Sequence, residues 1–203
     1  MEIFLVAVFS YACGSIPFAL ILTKIFIGQD IREIGSGNIG ATNVLRGGNK
    51  FLAFATLFLD ILKGYVPVLM AKQFFPDLLQ LSALLAFLGH LFPVWLKFKG
   101  GKGVATFLGI LFATSYGLTA LFILSWITVS LIFKYSSLSS IFSSLTVFIV
   151  TLIKEKVTVA IDPSIYVAED LKLLLFIILI LIIFTHRKNI SNLKNGTEQK
   201  IKL

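Results

Sequence analysis

The sequence predicts an all-α, polytopic membrane protein, and three observations predict it. Hydrophobic residues make up 57% of the 203 and charged residues only 14%, against about 45–50% and about 25% in an ordinary soluble domain. The mean hydropathy is +0.95. The apolar residues come in long uncharged blocks, and a block of roughly 20 residues crosses a bilayer as a helix. The net charge of +8 is what the positive-inside rule places in cytoplasmic loops, so it gives no reason to expect nucleic-acid binding. The one cysteine, Cys13, lies in the first apolar block. That excludes a disulfide framework and a CxxC metal pair. Met1-Glu2 enters this block without the basic start or cleavage site of a signal peptide, so the block is expected to remain as a helix.

The elements follow in order. Block one runs over residues 3–26, then a polar, glycine-rich loop over 28–49. Block two covers 51–71, a short loop passes through Phe75-Pro76-Asp77, and block three covers 78–96. The stretch 104–133 is too long for one span and short for two, with Ser115 and Gly117 where a break would fall. Further blocks cover 138–153 and 171–185, and a basic tail begins at His186, with 190–203 read as partly flexible. Loop charge decides the count. Seven short helices, N-terminus outside and C-terminus cytoplasmic, leave thirteen basic residues inside against four outside, Lys72, Lys154, Lys156 and Lys172. Treating 104–133 as one helix gives ten against seven. The Lys and Arg bias sets orientation, so seven is preferred. That choice also gathers the unusual polar segments on one face of the membrane. No internal repeat stands out, whereas a transporter of inverted repeats would more often show one.

Four segments suit chemistry. The first, Gly35 to Arg46, packs glycines with Ser36, Asn38, Gly40, Ala41, Thr42, Asn43 and Arg46. Glycines let backbone N–H groups turn toward an anion, and arginine grips phosphate with a planar fork. The plain alternative is a flexible turn. The second, Lys99-Gly100-Gly101-Lys102-Gly103-Val104-Ala105-Thr106, opens an apolar helix. A glycine-rich helix start offers free N–H groups and the positive end of the dipole. It is not a Walker A loop, and its alternative is a snorkelling lysine cluster. The third, Tyr135-Ser136-Ser137-Leu138-Ser139-Ser140, also suits plain N-capping. The fourth, His186-Arg187-Lys188-Asn189-Ile190 with Gly196 and Glu198, also suits a stop-transfer tail. Inside the blocks, Asp60 and Lys63 lie one turn apart and are expected to pair. His90 is expected to be a satisfied core histidine. No HxxxxD, GxSxG, HExxH or DxxD pattern is present. A Ser-His-Asp triad or a carboxylate-bound metal site is therefore poorly supported. Neutral donors and cations remain, a set suited to anionic substrates that carry their own activation.

Gly14-Ser15-Ile16-Pro17-Phe18, GSGNIGATNVLR, Asp60-Ile61-Leu62-Lys63-Gly64, Gly89-His90-Leu91-Phe92-Pro93 with KGGKGVAT, SSLSS and HRKNIxNLxxGxE together resemble the bacterial acyl-phosphate:glycerol-3-phosphate acyltransferases. The resemblance runs from end to end in the same order. Asn192 departs from it, standing where an arginine is expected, and 154–170 looks long. The resemblance implies a single transmembrane acyltransferase domain over 1–203 in the bacterial inner (plasma) membrane, its site facing the cytoplasm. It implies transfer of an acyl group from acyl phosphate to the 1-hydroxyl of glycerol-3-phosphate, giving lysophosphatidate and phosphate in the first step of phospholipid synthesis. It implies no cofactor or metal and a functional monomer. Carried over by motif position, Ser36, Arg46, Lys102, His186 and Asn189 are the catalytic candidates. Asn38, Gly40, Ala41, Asn43, Gly100, Gly101, Gly103, Thr106, Ser137 and Ser140 are the substrate-binding ones. A phosphate or organophosphate transporter is the alternative.

Overall fold

Every regular element of the computed structural model, which describes residues 1–161 and 171–201, is helical. The first apolar block departs from the sequence reading. It is predicted to run unbroken over 3–26, but it forms α1, Glu2–Ser15, and α2, Phe18–Ile27. Pro17 causes the break. It carries no N–H, and its ring pushes the residue before it out of the helical region, leaving Ile16 extended at φ −66°, ψ 118°. α2 ends at Gly28, whose φ of +72° is the left-handed stop that glycine adopts at little cost.

The polar loop that follows holds a 3-10 turn at Ile31–Glu33 and a short helix, α3, Ala41–Arg46. α4 spans Lys50–Phe74, opened by the Asn49 side chain accepting from Leu52 N at 2.9 Å. α5 is Leu79–Leu91, α6 Val104–Thr114 and α7 Tyr116–Phe133. The ambiguous stretch 104–133 thus breaks at Ser115, which is extended (φ −154°, ψ 113°). α8 is Ser136–Ile161, α9 Lys172–Thr185 and α10 Arg187–Lys194. Among the described residues, five stretches are long and apolar enough to cross a membrane: Glu2–Ile27, Lys50–Phe74, Pro76–Leu96, Tyr116–Phe133 and Ser136–Ile153. The pair α9 and α10, bent by 57°, makes a sixth if taken as one span, and Val104–Thr114 is a shorter apolar helix. Phe51, Phe54, Leu131 and Ile132 are among the large side chains left exposed, as a lipid-facing surface requires. The long segment 154–170 lies largely outside the described residues.

The chain divides into two compact units, Met1–Tyr116 and Gly117–Leu203. In the first, helices meet backbone to backbone. A Cβ on Gly14 or Gly89 would collide with the opposing main chain of α5 or α1, and one on Gly64 or Gly109 with that of α6 or α4. Small residues permit this approach where no hydrophobic force draws helices together. Ser10 and Ser82 hydrogen-bond across α1 and α5 at 2.8 Å. Lys72 donates to Ala113 O at 3.2 Å, a cation on the carbonyl end of α6. As the sequence predicts, Asp60 and Lys63 pair at 2.7 Å, both buried. Lys63 also donates to Ile16 O at 2.8 Å, a carbonyl exposed by the Pro17 break. In the second unit, the rings of Phe148 of α8 and Phe176 of α9 meet at a tilt of 41° with centroids 5.6 Å apart. Trp126 of α7 donates to Ser140 of α8 at 3.2 Å.

Lys63→Met should cost about 3–5 kcal/mol, because it strands a buried carboxylate. Asp60→Leu with Lys63→Met should cost clearly less than the single change. Thermal unfolding in detergent measures both; equal losses would show that the pair is not self-compensating.

Candidate active site

The loop over Gly35–Arg46 is a built structure. Ile31, Ile39 and Val44 bury beside Ala19 and Leu20 of α2 and Leu52 and Ala53 of α4. Asp30 opens the 3-10 turn by accepting from Arg32 N at 3.0 Å, and the Arg32 fork closes on the same carboxylate at 2.9 and 2.6 Å. That Arg32 side-chain hydrogen bond chiefly holds the Asp30 carboxyl down to about 2. Its folded value is lowered. The clamp's contribution is therefore complete above the ordinary value of 3.8 and is lost as pH falls through about 2. At the centre lies Asn43, 2% exposed. Its Oδ1 accepts from Ser36 N at 2.8 Å and Ser36 Oγ at 3.1 Å; its Nδ2 donates to Ile31 O at 3.0 Å and Ile34 O at 2.8 Å. Gly35 (φ +55°) packs against Asn43 where a side chain would strike Oδ1, and Gly37 has φ +70°. Asn43 thus spends its polar atoms on the shape of the loop. Ser36 stands exposed at the loop surface, while Asn38, Gly40, Ala41 and Arg46 are half-buried.

The second segment begins where α5 ends. Lys97 and Phe98 take left-handed conformations (φ 51° and 60°) and reverse the chain after Pro93. Gly100 N then donates to Leu91 O at 3.0 Å and Gly101 N to His90 O at 3.2 Å. This corrects one expectation: the Gly101 N–H is predicted to face a phosphate, but it closes the end of α5. The reason is that a helix leaves its last carbonyls without partners, and this loop satisfies two of them. Side chains at Gly100 or Gly101 would collide with the main chain or ring of His90. Gly103, at φ +81°, is the N-cap of α6, and Lys102 precedes it half-buried. The segment therefore delivers Lys102 to a helix N-terminus, where N–H groups and the dipole favour an anion. Thr106, fully buried, meets His90 Nδ1 with its hydroxyl at 3.1 Å.

In the second unit the serines look inward. Ser139, Ser140, Ser143 and Ser144 each donate to the carbonyl four residues earlier, at 2.7–2.8 Å. Ser140, predicted to bind substrate, also accepts from Trp126 and is 2% exposed. His186, 2% exposed, lies at the bend between α9 and α10, its Nδ1 2.8 Å from Ile182 O. A carbonyl only accepts, so Nδ1 donates and a neutral ring keeps Nε2 as acceptor. Sequence reasoning missed the part played by Glu198. Its Oε1 accepts from Ser137 Oγ at 2.8 Å and Asn189 Nδ2 at 2.7 Å, and its Oε2 from Asn192 Nδ2 at 3.4 Å. One carboxylate orients two predicted site residues, and Asn192, the departure from the expected motif, is its third donor. The signal was an acidic residue in an otherwise basic tail. Beyond it, Ile201 N donates to Lys134 O at 2.7 Å, while residues 202–203 lie outside the described residues.

Glu198→Ala removes the acceptor of all three donors. Hydrogen bonds to a charged group are worth about 1.5–3 kcal/mol each, so tryptic cleavage after Lys188 or Lys194 should quicken at least about tenfold, with activity lost in parallel. Unchanged cleavage would show the clasp to be idle.

The family profile described as glycerol-3-phosphate acyltransferase matches residues 4–196. A glycerol-3-phosphate acyltransferase of Pelagibacter ubique is 52% identical over 100% of both chains. One of Wolbachia pipientis wMel is 48% identical over 98% of each. The crystal structure of PlsY (YgiH), an integral membrane glycerol 3-phosphate acyltransferase in its glycerol 3-phosphate form, superposes with a TM-score of 0.88 at 36% identity. It covers 100% of this chain and 96% of its own. The lysophosphatidic acid form gives 0.84 at 36%, covering 98% and 95%. With matches of this length and identity over a multi-pass helical chain, the protein belongs to the glycerol-3-phosphate acyltransferase family.

Proposed function

We propose that this protein transfers a fatty acyl group from acyl phosphate to the 1-hydroxyl of glycerol-3-phosphate, directly and without an acyl-enzyme. The observation that carries the reading is the loop after α5, which sets Lys102 at the N-terminus of α6. Lys102 and the N–H groups opening α6 hold the acyl phosphate. Ser36, Asn38 and Arg46 hold the second phosphate or bridge both, on a loop whose shape Asn43 fixes. By motif position, Ser140, His186 and Asn189 serve the glycerol phosphate, and Ser137 is a further substrate-binding residue. The proposed setting is a monomer of seven spans in the bacterial inner membrane, N-terminus outside and site facing the cytoplasm, without cofactor or metal. The loop charges support it, as does the break at Ser115, which makes two helices of the stretch 104–133.

An acyl phosphate is a mixed anhydride, so its carbonyl carbon is electrophilic before the protein touches it. The glycerol hydroxyl oxygen forms a bond to that carbon, the carbon–oxygen bond to phosphate breaks, and the hydroxyl proton passes to a phosphate oxygen. Holding the partners in line supplies up to ~7–11 kcal/mol. Cations and N–H donors stabilise the charge that develops on the leaving phosphate. No carboxylate is needed as base. His186 Nε2 is the competing proton acceptor, since Nδ1 is committed to Ile182 O.

Purified protein given palmitoyl phosphate and glycerol-3-phosphate should release lysophosphatidate and phosphate in equal amounts, should ignore palmitoyl-CoA, and should lose activity in Lys102→Ala. Glycerol-3-phosphate uptake into liposomes without lysophosphatidate would favour a transporter instead. His186→Gln should cost less than the roughly 10²–10⁴-fold typical of a lost general base. A loss within that range would make the histidine the proton acceptor.

A further inference from the structure

His90 sits outside every catalytic role assigned above, yet it touches the Lys102 loop on both sides. It lies in the last turn of α5, 5% exposed. Its carbonyl accepts from Gly101 N at 3.2 Å, before Lys102. Its ring Nε2 lies against Gly101 so closely that a Cβ there would collide with it. Its Nδ1 meets Thr106 Oγ1 at 3.1 Å, in the first turn of α6 and after Lys102. Thr106 cannot retreat, because its carbonyl presses on Gly64 of α4 with no room for a side chain between them. The imidazole is therefore a strut: one end bears on the loop, the other on the helix that the loop opens.

We propose that His90 is a positioning residue that sets the height and direction of Lys102 and the α6 N-terminus. The proposal rests on the reading that this loop holds a substrate phosphate. A histidine that merely filled space would need neither contact. An apolar ring of similar size would fill the volume but leave the Thr106 hydroxyl and the loop without a fixed distance between them. A phosphate site depends on that distance, because misplacing a bound group by about 1 Å costs up to about a hundredfold.

The test compares His90→Ala, His90→Asn and Thr106→Val in the purified protein, measuring KM and kcat for both substrates together with thermal stability. His90→Ala should raise KM for one phosphate substrate about ten- to hundredfold, with kcat lowered as well because Lys102 loses its place against the leaving phosphate. Thr106→Val, which keeps volume and removes the hydroxyl, should shift the same KM in the same direction. The His90→Ala/Thr106→Val double variant should be no worse than His90→Ala, as for two residues sharing one contact. His90→Asn, which keeps an amide near the Nδ1 position, should recover part of the loss. An unchanged KM in His90→Ala overturns the proposal. So does a loss confined to stability, with Thr106→Val silent and no recovery in His90→Asn. Calorimetric binding of glycerol-3-phosphate and of a non-hydrolysable acyl phosphonate separates the two readings. Binding of neither by the wild type discards the phosphate loop, and His90 with it. Wild-type binding that His90→Ala leaves unshifted discards only the strut.

Discussion

The constraint on which the rest depends is that a chain in lipid must satisfy its own backbone polar groups. Continuous helices do so automatically, but this chain stops short repeatedly, and each stop frees carbonyls that something must cover. At the Pro17 break, Lys63 covers Ile16 O. At the end of α5, Tyr11 covers Phe92 O at 2.6 Å, and Gly100 and Gly101 cover Leu91 and His90. At the end of α6, Lys72 covers Ala113. The loops that carry the polar chemistry are therefore extensions of the same bookkeeping. The glycine segment before α6 is tight because it answers to the helix behind it before it answers to any ligand.

A second consequence concerns the division of labour among polar residues. Side chains that a motif groups together separate in space into those that build and those that face outward. Asn43 and Glu198 each gather several partners onto one group, Asn43 buried and Glu198 half-buried. Ser36 stands exposed on the frame that Asn43 builds, and Lys102 follows the glycine turn that closes α5. A buried network of this kind is valuable only when every member is satisfied. That explains why a loop rich in amides and hydroxyls takes a defined shape rather than that of a loose turn.

Much of this was legible in the sequence. Block length gave most of the helices, Ser115 gave the break between α6 and α7, and the spacing of Asp60 and Lys63 gave their pairing. The break at Pro17 was missed because the apolar run continues through it; hydropathy is blind to a backbone interruption that keeps the same composition. The short helix α3 was missed because glycines and asparagines hide a six-residue helix. The Gly101 N–H was assigned to a phosphate because sequence shows how many N–H groups a segment owns, not which carbonyl reaches them first. Glu198 escaped because its partners, at positions 137, 189 and 192, meet only when α8, α10 and the tail are folded.

The Asp60–Lys63 pair also bears on how the chain enters the membrane during synthesis. Its two charges sit three residues apart on one helix, so α4 carries its own counterion from the moment it forms. A lysine whose partner lay on another helix would have to wait, unpaired, for that helix to arrive, and a lone cation at the centre of a span costs about 2.5–3.5 kcal/mol at insertion. Here the helix can leave the insertion machinery nearly neutral. The Lys63 ammonium has further donors, and one of them reaches the Ile16 carbonyl at 2.8 Å, so the contact within the helix and the contact between helices do not compete.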